Sequence, residues 1–143
     1  MQRSAARCPT STPEADGAPA DVLAAFDALF VAATVDRDPD AVVAMFVDGA
    51  IWFAGSDLHE HATSREGLRA IMATLAASST RLHFEWASRQ AHASADVAWV
   101  NAAGRVAITA AEGETSVPYR VTAVLVRRAG RWRWQTFAGS IPD

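Results

Sequence analysis

The stretch DRDPDAVVAMFVDGA, residues 36–50, contains a helix start, a short apolar helix and a turn in immediate succession. The pair Asp38-Pro39 is typical of a helix N-terminus, because proline's missing N–H does no harm at the first helical position. The apolar residues 41–46 continue this short helix. Asp48-Gly49 then predicts a turn into a strand over residues 50–54, which are rich in β-preferring side chains. The stretch therefore predicts a chain that mixes helices and strands.

Helical periodicity flanks this stretch on both sides. Before it, apolar residues recur at helical spacing over residues 22–33, and Asp21 is placed to cap that helix. After it, residues 63–66 have the spacing of a capping box. The helix that follows, over residues 67–75, carries one apolar stripe made of Leu68, Ile71, Met72 and Leu75. Three helices are therefore expected in the first half of the chain.

Beyond Ser79 the sequence alternates between apolar and polar residues, as strands do. Hairpin turns are predicted at three connections, residues 93–96, 112–114 and 128–131. Three helices followed by a run of antiparallel strands is an α+β pattern, with the helices gathered on one side of the sheet.

Length and composition limit the alternatives. The chain has 143 residues, enough for one ordinary domain that needs neither disulfides nor a structural metal to build a core. Residues 1–19 are small, polar and proline-containing, which predicts a disordered tail, and residues 20–143 form the predicted domain. No secretory signal or membrane-spanning run is visible, and the lone Cys8 lies in the tail, so a cytoplasmic protein is expected.

The charge balance excludes some functions. The formal net charge is −3 and all thirteen basic residues are arginine, without a basic block. This balance argues against nucleic acid or an anionic membrane as a partner. The lack of lysine also excludes a catalytic or Schiff-base lysine.

Three segments carry a resemblance to a known family. They are residues 36–50, the helix start at 64–71, and residues 130–134 with their continuation to 139–142. In order and spacing they resemble the SnoaL-like branch of the nuclear transport factor 2-like superfamily, over residues 20–142. The resemblance implies a cone with a strongly curved, mainly antiparallel sheet wrapped around the three helices and a deep, mostly apolar pocket at its open end. It also implies a homodimer that pairs through the outer face of the sheet. Hydrolases, isomerases, cyclases, dehydratases and binding modules share this fold, so the fold assigns no activity.

The catalytic patterns known in this superfamily are missing from the sequence. The resemblance places Phe30 where the ketosteroid isomerase branch has its tyrosine, Ala54 where that branch has its base, and Thr122 where it has its second aspartate. In the limonene-type epoxide hydrolases an arginine lies between carboxylates. Arg120 is available for that role, but Thr122 again replaces the carboxylate. The polyketide cyclase branch uses an aspartate base in the pocket, and only Glu85, on the polar face of its strand, is offered here.

The same alignment predicts which side chains face the pocket. They combine aromatic area with a few polar groups, which suits a small apolar or aromatic ligand: Phe30, Trp52, Trp99, Asn101, Arg120, Thr122, Gln135 and Phe137. The aromatic members could equally be ordinary core residues. Arg120 could instead face outward and pair with Glu112 or Glu114. A bulge near Gln135 would exchange the residues of the last strand that face inward.

His59 is the candidate general acid or base, because its loop borders the pocket mouth in the resembled fold. Histidines at i and i+2, as in His59-Glu60-His61, can share a metal, but no third ligand has diagnostic spacing. We therefore expect a solvated loop, no metal and no cofactor. The catalytic candidates are His59 and Arg120.

Trp132 and Trp134 flank Arg133 on the last strand, a spacing that could stack on nucleic acid. In an acidic chain a core or dimer-interface role is the preferred interpretation. The predicted function is binding of a small apolar or aromatic molecule in the pocket. Two alternatives stay open: a cyclase, isomerase or hydrolase of secondary metabolism that uses His59, Arg120 and Asn101, and a non-catalytic interaction module whose cone is filled by its own side chains.

Overall fold

The computed structural model describes residues 18–142 and contains three helices and six strands within that range. The helices are α1 (Ala18–Phe30), extended by a π-helical turn (Val31–Val35), α2 (Pro39–Ala44) and α3 (Arg65–Ala77). The strands are β1 (Trp52–Ala54), β2 (His61–Ala62), β3 (Arg81–Ser94), β4 (Val97–Ala110), β5 (Gly113–Arg128) and β6 (Arg131–Ser140).

The strands form one six-stranded sheet in the order β2-β1-β6-β5-β4-β3. Only the β1–β6 pair is parallel, and the other neighbours are antiparallel. α1 packs against β3, β4 and β6, so the helices lie in the concave side of the curled sheet. The predicted α+β cone is confirmed.

The helix termini follow the sequence signals, with small shifts. The side chain of Asp38 accepts hydrogen bonds from the backbone N–H groups of Asp40 and Ala41, at 3.1 and 3.2 Å, and caps α2 as predicted. Ser64 caps α3 through the Gly67 N–H at 3.1 Å. α1 begins at Ala18, so Asp21 lies inside its first turn rather than at its cap. The predicted tail thus overlaps α1 by two residues, and its remaining part, residues 1–17, lies outside the described residues.

Two-residue loops join β3 to β4, β4 to β5 and β5 to β6, close to the predicted turns. In the last loop Ala129 and Gly130 both have positive φ, 52° and 77°. A two-residue loop with positive φ at both positions matches the right-handed twist of the flanking strands. The tight hairpins hold the long strands in register.

Two irregularities bend the sheet. On β6, Thr136 pairs with Val124 and Trp134 with Leu125, which leaves Gln135 as an extra, unpaired residue. This bulge turns Trp134 and Phe137 to the same side, so the exchange that the sequence associates with a bulge near Gln135 does occur. On β3 the register shifts between Trp86 and Ser88, opposite Gly104.

β3 and β4 approach each other closely at Gly104. A β-carbon at this position would overlap the carbonyl oxygen of Glu85 and lie 2.8 Å from the Cα of Trp86. Only glycine fits a contact of this kind. The bulge and the glycine together let the two strands curve around the helices.

The inward residues of the long strands differ from the prediction. Ala98, Val100 and Ala102 of β4 are buried, and so are the inward residues of β5, Tyr119, Val121, Ala123 and Leu125. Side chains alternate along a strand, so the intervening residues face out. The predicted inward orientation is therefore wrong for Trp99, Asn101, Arg120 and Thr122.

Packing against α1 explains this reversal. Small residues occupy the inward positions of β4 because α1 lies against the strand and brings its own large side chains, Phe26 and Phe30. Trp52 is also outward, 47% exposed, while its neighbour Phe53 is buried. Among the described residues, no helix is long and apolar enough to cross a membrane.

Candidate functional site

The cone is open at one end and encloses a cavity of about 470 Å³. α1, α2 and α3 form one side of this cavity, and β3, β5, β6 and the loop that follows β1 form the other. Its walls are mostly apolar and include Leu29, Phe30, Phe53, Met72, Phe84 and Phe137. Ligand pockets commonly have volumes of about 300–1,000 Å³, so this one can hold a small organic molecule.

Aromatic rings give the cavity its shape. Phe53 and Phe137 stack with 4.7 Å between ring centroids and 17° between ring planes. Phe84 meets Phe30 edge-on at 4.9 Å and Tyr119 edge-on at 5.2 Å. Because each ring touches another of the set, these rings form a rigid wall that offers both faces and edges to a ligand.

Tyr119 supplies a hydroxyl within this apolar wall. The residue is only 6% exposed, and its ring lies over Gly139, where a β-carbon would overlap the hydroxyl oxygen and lie 2.8 Å from Cζ. Burial, followed by the negative charge of Glu60, raises the pKa of Tyr119 to about 12, although a hydrogen bond with Ser56 acts in the opposite direction. At neutral pH the phenol is therefore protonated and can donate a hydrogen bond.

The loop between β1 and β2 holds Glu60 at the same cavity that Tyr119 lines. The Gly55 N–H donates to the carbonyl of Glu60 at 2.7 Å, and the Glu60 N–H donates to the carbonyl of Asp57 at 2.9 Å. The Glu60 carboxylate accepts from the Asp57 N–H at 3.1 Å. The Asp57 carboxylate in turn accepts from the His59 N–H at 2.8 Å. Local hydrogen bonds thus fix the loop that brings His59 and Glu60 to the cavity.

Arg37 fixes the opposite wall. Its guanidinium donates to the carbonyls of Leu75 (2.9 Å), Ala76 (3.1 Å), Thr80 (3.2 Å) and, at close range, Ser78. These carbonyls belong to the last turn of α3 and the residues after it, which lack helical donors. Leu75 and Ser78 line the cavity, so Arg37 is a positioning residue for that wall.

Three of the predicted site residues line the cavity: Phe30, His59 and Phe137. On the outer face, the Thr122 hydroxyl donates to the Asn101 side-chain oxygen at 3.2 Å, and Trp99 stacks on His92 with 5.7 Å between ring centroids. Arg120 is exposed on that same face, so the predicted pair of His59 and Arg120 is not brought together. The alternative pairing of Arg120 with Glu112 or Glu114 is not seen either among residues 18–142.

Trp52 and Gln135 also lie away from the cavity. Trp52 packs against His61 at 4.6 Å on the short edge strands. Gln135 lines a different groove, which is described below. Trp134 is buried in the core, and half-buried Trp132 lies under the Arg127 guanidinium at 4.9 Å. Neither tryptophan presents a free stacking surface of the kind that binds nucleic acid.

The cavity is also lined by residues that the sequence did not predict as site residues: Tyr119, Glu60, Phe53 and Phe84. A signal for Tyr119 was available, because Tyr119, Val121, Ala123 and Leu125 alternate as one apolar set on β5. Phe53 rather than Ala54 points into the cavity. The comparison with the superfamily, which placed Ala54 at the position of the base, is therefore shifted by one residue along β1. In residues 18–142 no three His, Cys, Asp or Glu side chains come together in a metal-binding group.

Comparison with known proteins agrees with this architecture. Residues 22–143 match the family model of the SnoaL-like domain. The chain therefore belongs to the SnoaL-like family. No curated protein matches it closely enough in sequence to serve as a relative.

Solved structures share the fold at low sequence identity. A nuclear transport factor 2-like protein from Streptomyces avermitilis, provisionally named a dehydratase, has a TM-score of 0.80 at 13% identity and covers 90% of this chain and 99% of its own. A ketosteroid isomerase-like protein from Erwinia carotovora atroseptica has a TM-score of 0.72 at 22% identity, with coverage of 93% and 99%. A Catenulispora acidiphila protein in complex with S-DNPA has a TM-score of 0.70 at 17% identity, with coverage of 85% and 91%. These similarities show the fold and leave the activity open.

Proposed function

We propose that this SnoaL-like protein binds a small apolar or aromatic molecule in the cavity at the open end of its cone. The observation that carries the proposal is the cavity itself, about 470 Å³ with a wall of mutually packed aromatic rings. A cone filled by its own side chains, as the interaction-module alternative requires, would leave no such volume. The complex of the similarly folded Catenulispora acidiphila protein with S-DNPA is consistent with ligand binding.

The polar end of the cavity favours a neutral ligand that carries a hydrogen-bond acceptor. Tyr119 keeps its proton and can donate, while the negative charge of Glu60 disfavours a second negative charge in the cavity. A ligand carbonyl or ether oxygen can accept a hydrogen bond from Tyr119, and that bond adds to the affinity. A mostly apolar ligand with one such oxygen would fit both the apolar walls and the polar end of the cavity.

Binding can be tested with N-phenylnaphthylamine, a neutral fluorophore whose emission rises in an apolar site. Ala33 lines the cavity, so Ala33→Trp should fill it and weaken probe binding at least tenfold. Ala70→Trp places the same side chain on the exposed face of α3, away from the cavity, and should leave the affinity unchanged. Equal affinities in both variants, or no binding to the unmodified chain, would refute the proposal.

An enzymatic function is the second candidate, because His59, Glu60 and Tyr119 all line the cavity. Such an enzyme would use His59 or Glu60 to move a proton and Tyr119 to hold a ligand oxygen. Once a substrate is found, His59→Ala and Glu60→Gln should each lower kcat. A substrate turned over at the unmodified rate by both variants would remove these residues from the mechanism.

We also propose that a second copy of this chain covers the outer face of the sheet. In a two-fold dimer the same patch meets itself, so an uncharged patch avoids repulsion between like charges. Trp99, Asn101, Thr122 and Val124 form such a patch, and Trp99 is 38% exposed in the isolated chain. Light scattering should give twice the chain mass, and Asn101→Arg should give the single-chain mass. A monomeric unmodified chain would contradict the dimer.

A further inference from the structure

A second groove lies outside the cavity and shares no lining residue with it. Its volume is about 770 Å³. It is bounded by the loop that follows α2, by the first residue of α3, and by the hairpin of β5 and β6. Whatever binds here would therefore leave the cavity free.

Positive charge dominates this groove. Arg65, Arg128 and Arg133 line it, and Asp48 is the one carboxylate among its lining residues. Arg131 lies directly opposite Arg128 in the β5–β6 ladder. Like charges placed opposite each other destabilise a sheet pair. The protein as a whole carries a net charge of −3, so this concentration of arginine is a local feature.

Within the described residues, Arg128 and Arg133 of the groove lack a carboxylate partner, whereas Arg65 pairs with Asp48. Arg69 pairs with Asp40 at 2.9 Å, and Arg127 pairs with Asp96 at 3.2 Å. Within residues 18–142, Arg128, Arg131 and Arg133 form no ion pair with a carboxylate. Their charge is therefore available to a ligand.

Contacts with the backbone hold two of the guanidinium groups in place. Arg65 donates to the carbonyl of Val43 from Nε at 3.3 Å and from Nη2 at 3.1 Å, and it pairs closely with Asp48. Arg133 donates to the carbonyl of Ala44 from Nη1. These bonds satisfy the last carbonyls of α2, yet each guanidinium has five N–H donors, so Arg133 keeps several unused. Among the described residues, Arg128 makes a single hydrogen bond, to the Arg127 carbonyl at 3.1 Å.

We propose that this groove binds the phosphate group of a small molecule. Arginines reach it from three elements, α3, β5 and β6, so donors approach one anion from several directions. A tetrahedral dianion has acceptor oxygens in several directions and suits this arrangement, whereas one arginine can satisfy a planar carboxylate alone. The groove is larger than a bare phosphate ion, which leaves room for an organic group beside Val126 and Ala129.

The test is calorimetric titration of the full chain at low salt with inorganic phosphate and with phenyl phosphate. Arg128→Gln and Arg133→Gln should each weaken binding about tenfold, since each removes one charged donor group. Arg105→Gln is the matched control, because Arg105 is exposed, lies on another part of the sheet and bonds only to Ser116. Arg128 holds no part of α2, so Arg128→Gln keeps the test valid if Arg133→Gln does not fold.

The outcomes separate the sources of the phosphate. Tighter binding of phenyl phosphate than of inorganic phosphate would assign the groove to a phosphate ester, and equal binding would assign it to the free ion. No measurable binding of either anion would overturn the proposal. An equal loss in Arg105→Gln would overturn it as well, because binding would then follow total charge. Ala33→Trp should leave the phosphate affinity unchanged, which separates this groove from the proposed function of the cavity.

Discussion

The hydroxyl of Tyr119 lies over Gly139, in the wall of a mostly apolar cavity that Glu60 also lines. Three separate elements create this relationship. β5 supplies the phenol, β6 supplies the space that a side chain at residue 139 would fill, and the loop after β1 supplies the carboxylate. A donor and an acceptor are thus available where a ligand's polar atom would be placed.

Tyr119 should lose its proton at a higher pH than an ordinary tyrosine, and this difference should lower the stability of the folded chain at alkaline pH. Its pKa of about 12 in the folded chain lies above the unfolded value of 10.0, so between these values only the unfolded chain loses the proton. The free energy of unfolding should therefore stay constant with respect to this group below about pH 10, then fall by about 2–3 kcal/mol as the pH rises to about 12. Because Tyr119 is the one tyrosine in the sequence, tyrosinate absorbance reports it directly.

Tyr119→Phe provides the control for this titration. The variant should lose the absorbance change, and its stability should lack the alkaline fall that depends on residue 119. A midpoint near pH 10 in the folded, unmodified chain would show that the hydroxyl is not buried as described.

Gly139→Ala should disturb the cavity through Tyr119. The new methyl group would overlap the phenol and lie 3.1 Å from Cε1 of Phe137, so the tyrosine must move. We expect a loss of about 1–3 kcal/mol in the free energy of unfolding, as for other overpacked sites, together with weaker probe binding. In a Tyr119→Val background the same substitution should cost much less. Equal costs in both backgrounds would show that Tyr119 is not the residue displaced.

Arg37→Ala should loosen the end of α3. The substitution removes donors from four backbone carbonyls, which we expect to cost about 1.5–3 kcal/mol in chemical denaturation. Lysine cannot reproduce the planar set of donors, so Arg37→Lys should recover only part of this loss. Since Leu75 and Ser78 line the cavity, probe affinity should fall in parallel with stability. Unchanged unfolding in Arg37→Ala would contradict the role given to this side chain.

Trp134 and Trp132 form a matched pair on one strand. Trp134 is 1% exposed, stacks on Phe26 at 5.5 Å and donates from Nε1 to the Ala25 carbonyl at 3.2 Å. Trp134→Ala should therefore cost about 3–5 kcal/mol in the free energy of unfolding. Trp132→Ala should cost about 1 kcal/mol or less, because the residue is half-buried and its charged partner Arg127 is exposed. Similar losses for the two variants would contradict this assignment of core and surface.

The elements that could be predicted from the sequence are those with local signals. Asp38-Pro39 starts a helix because the Asp38 side chain caps backbone N–H groups and proline has no N–H to lose at the first helical position. The apolar stripe of α3 faces the core, as its helical period requires. For the bulge at Gln135 the sequence predicts only the consequence, an exchange of the inward residues of β6, because it carries no local signal for the bulge itself.

The phase of β4 and β5 could not be predicted in the same way. Both faces of β4 carry apolar residues. The large side chain of Trp99 lies on the outer face, while the small side chain of Ala98 lies on the inner face. The resemblance to the superfamily predicted Trp99 inside, but α1 packs against β4 and takes the space on the side of Ala98. The contacts of Arg37 with the end of α3 also depend on tertiary proximity, which a single sequence does not encode locally.

The close contact between β3 and β4 at Gly104 also bears on the interior that the sheet encloses. The volume that a curled sheet encloses depends on its curvature. Here the missing β-carbon of Gly104 lets β3 and β4 come close enough for the sheet to curve. Substitutions at residue 104 would act on the size of the interior without altering any side chain that a ligand touches. A substitution at residue 104 would thus reach the cavity through the position of β3, which carries Leu82 and Phe84 of its wall.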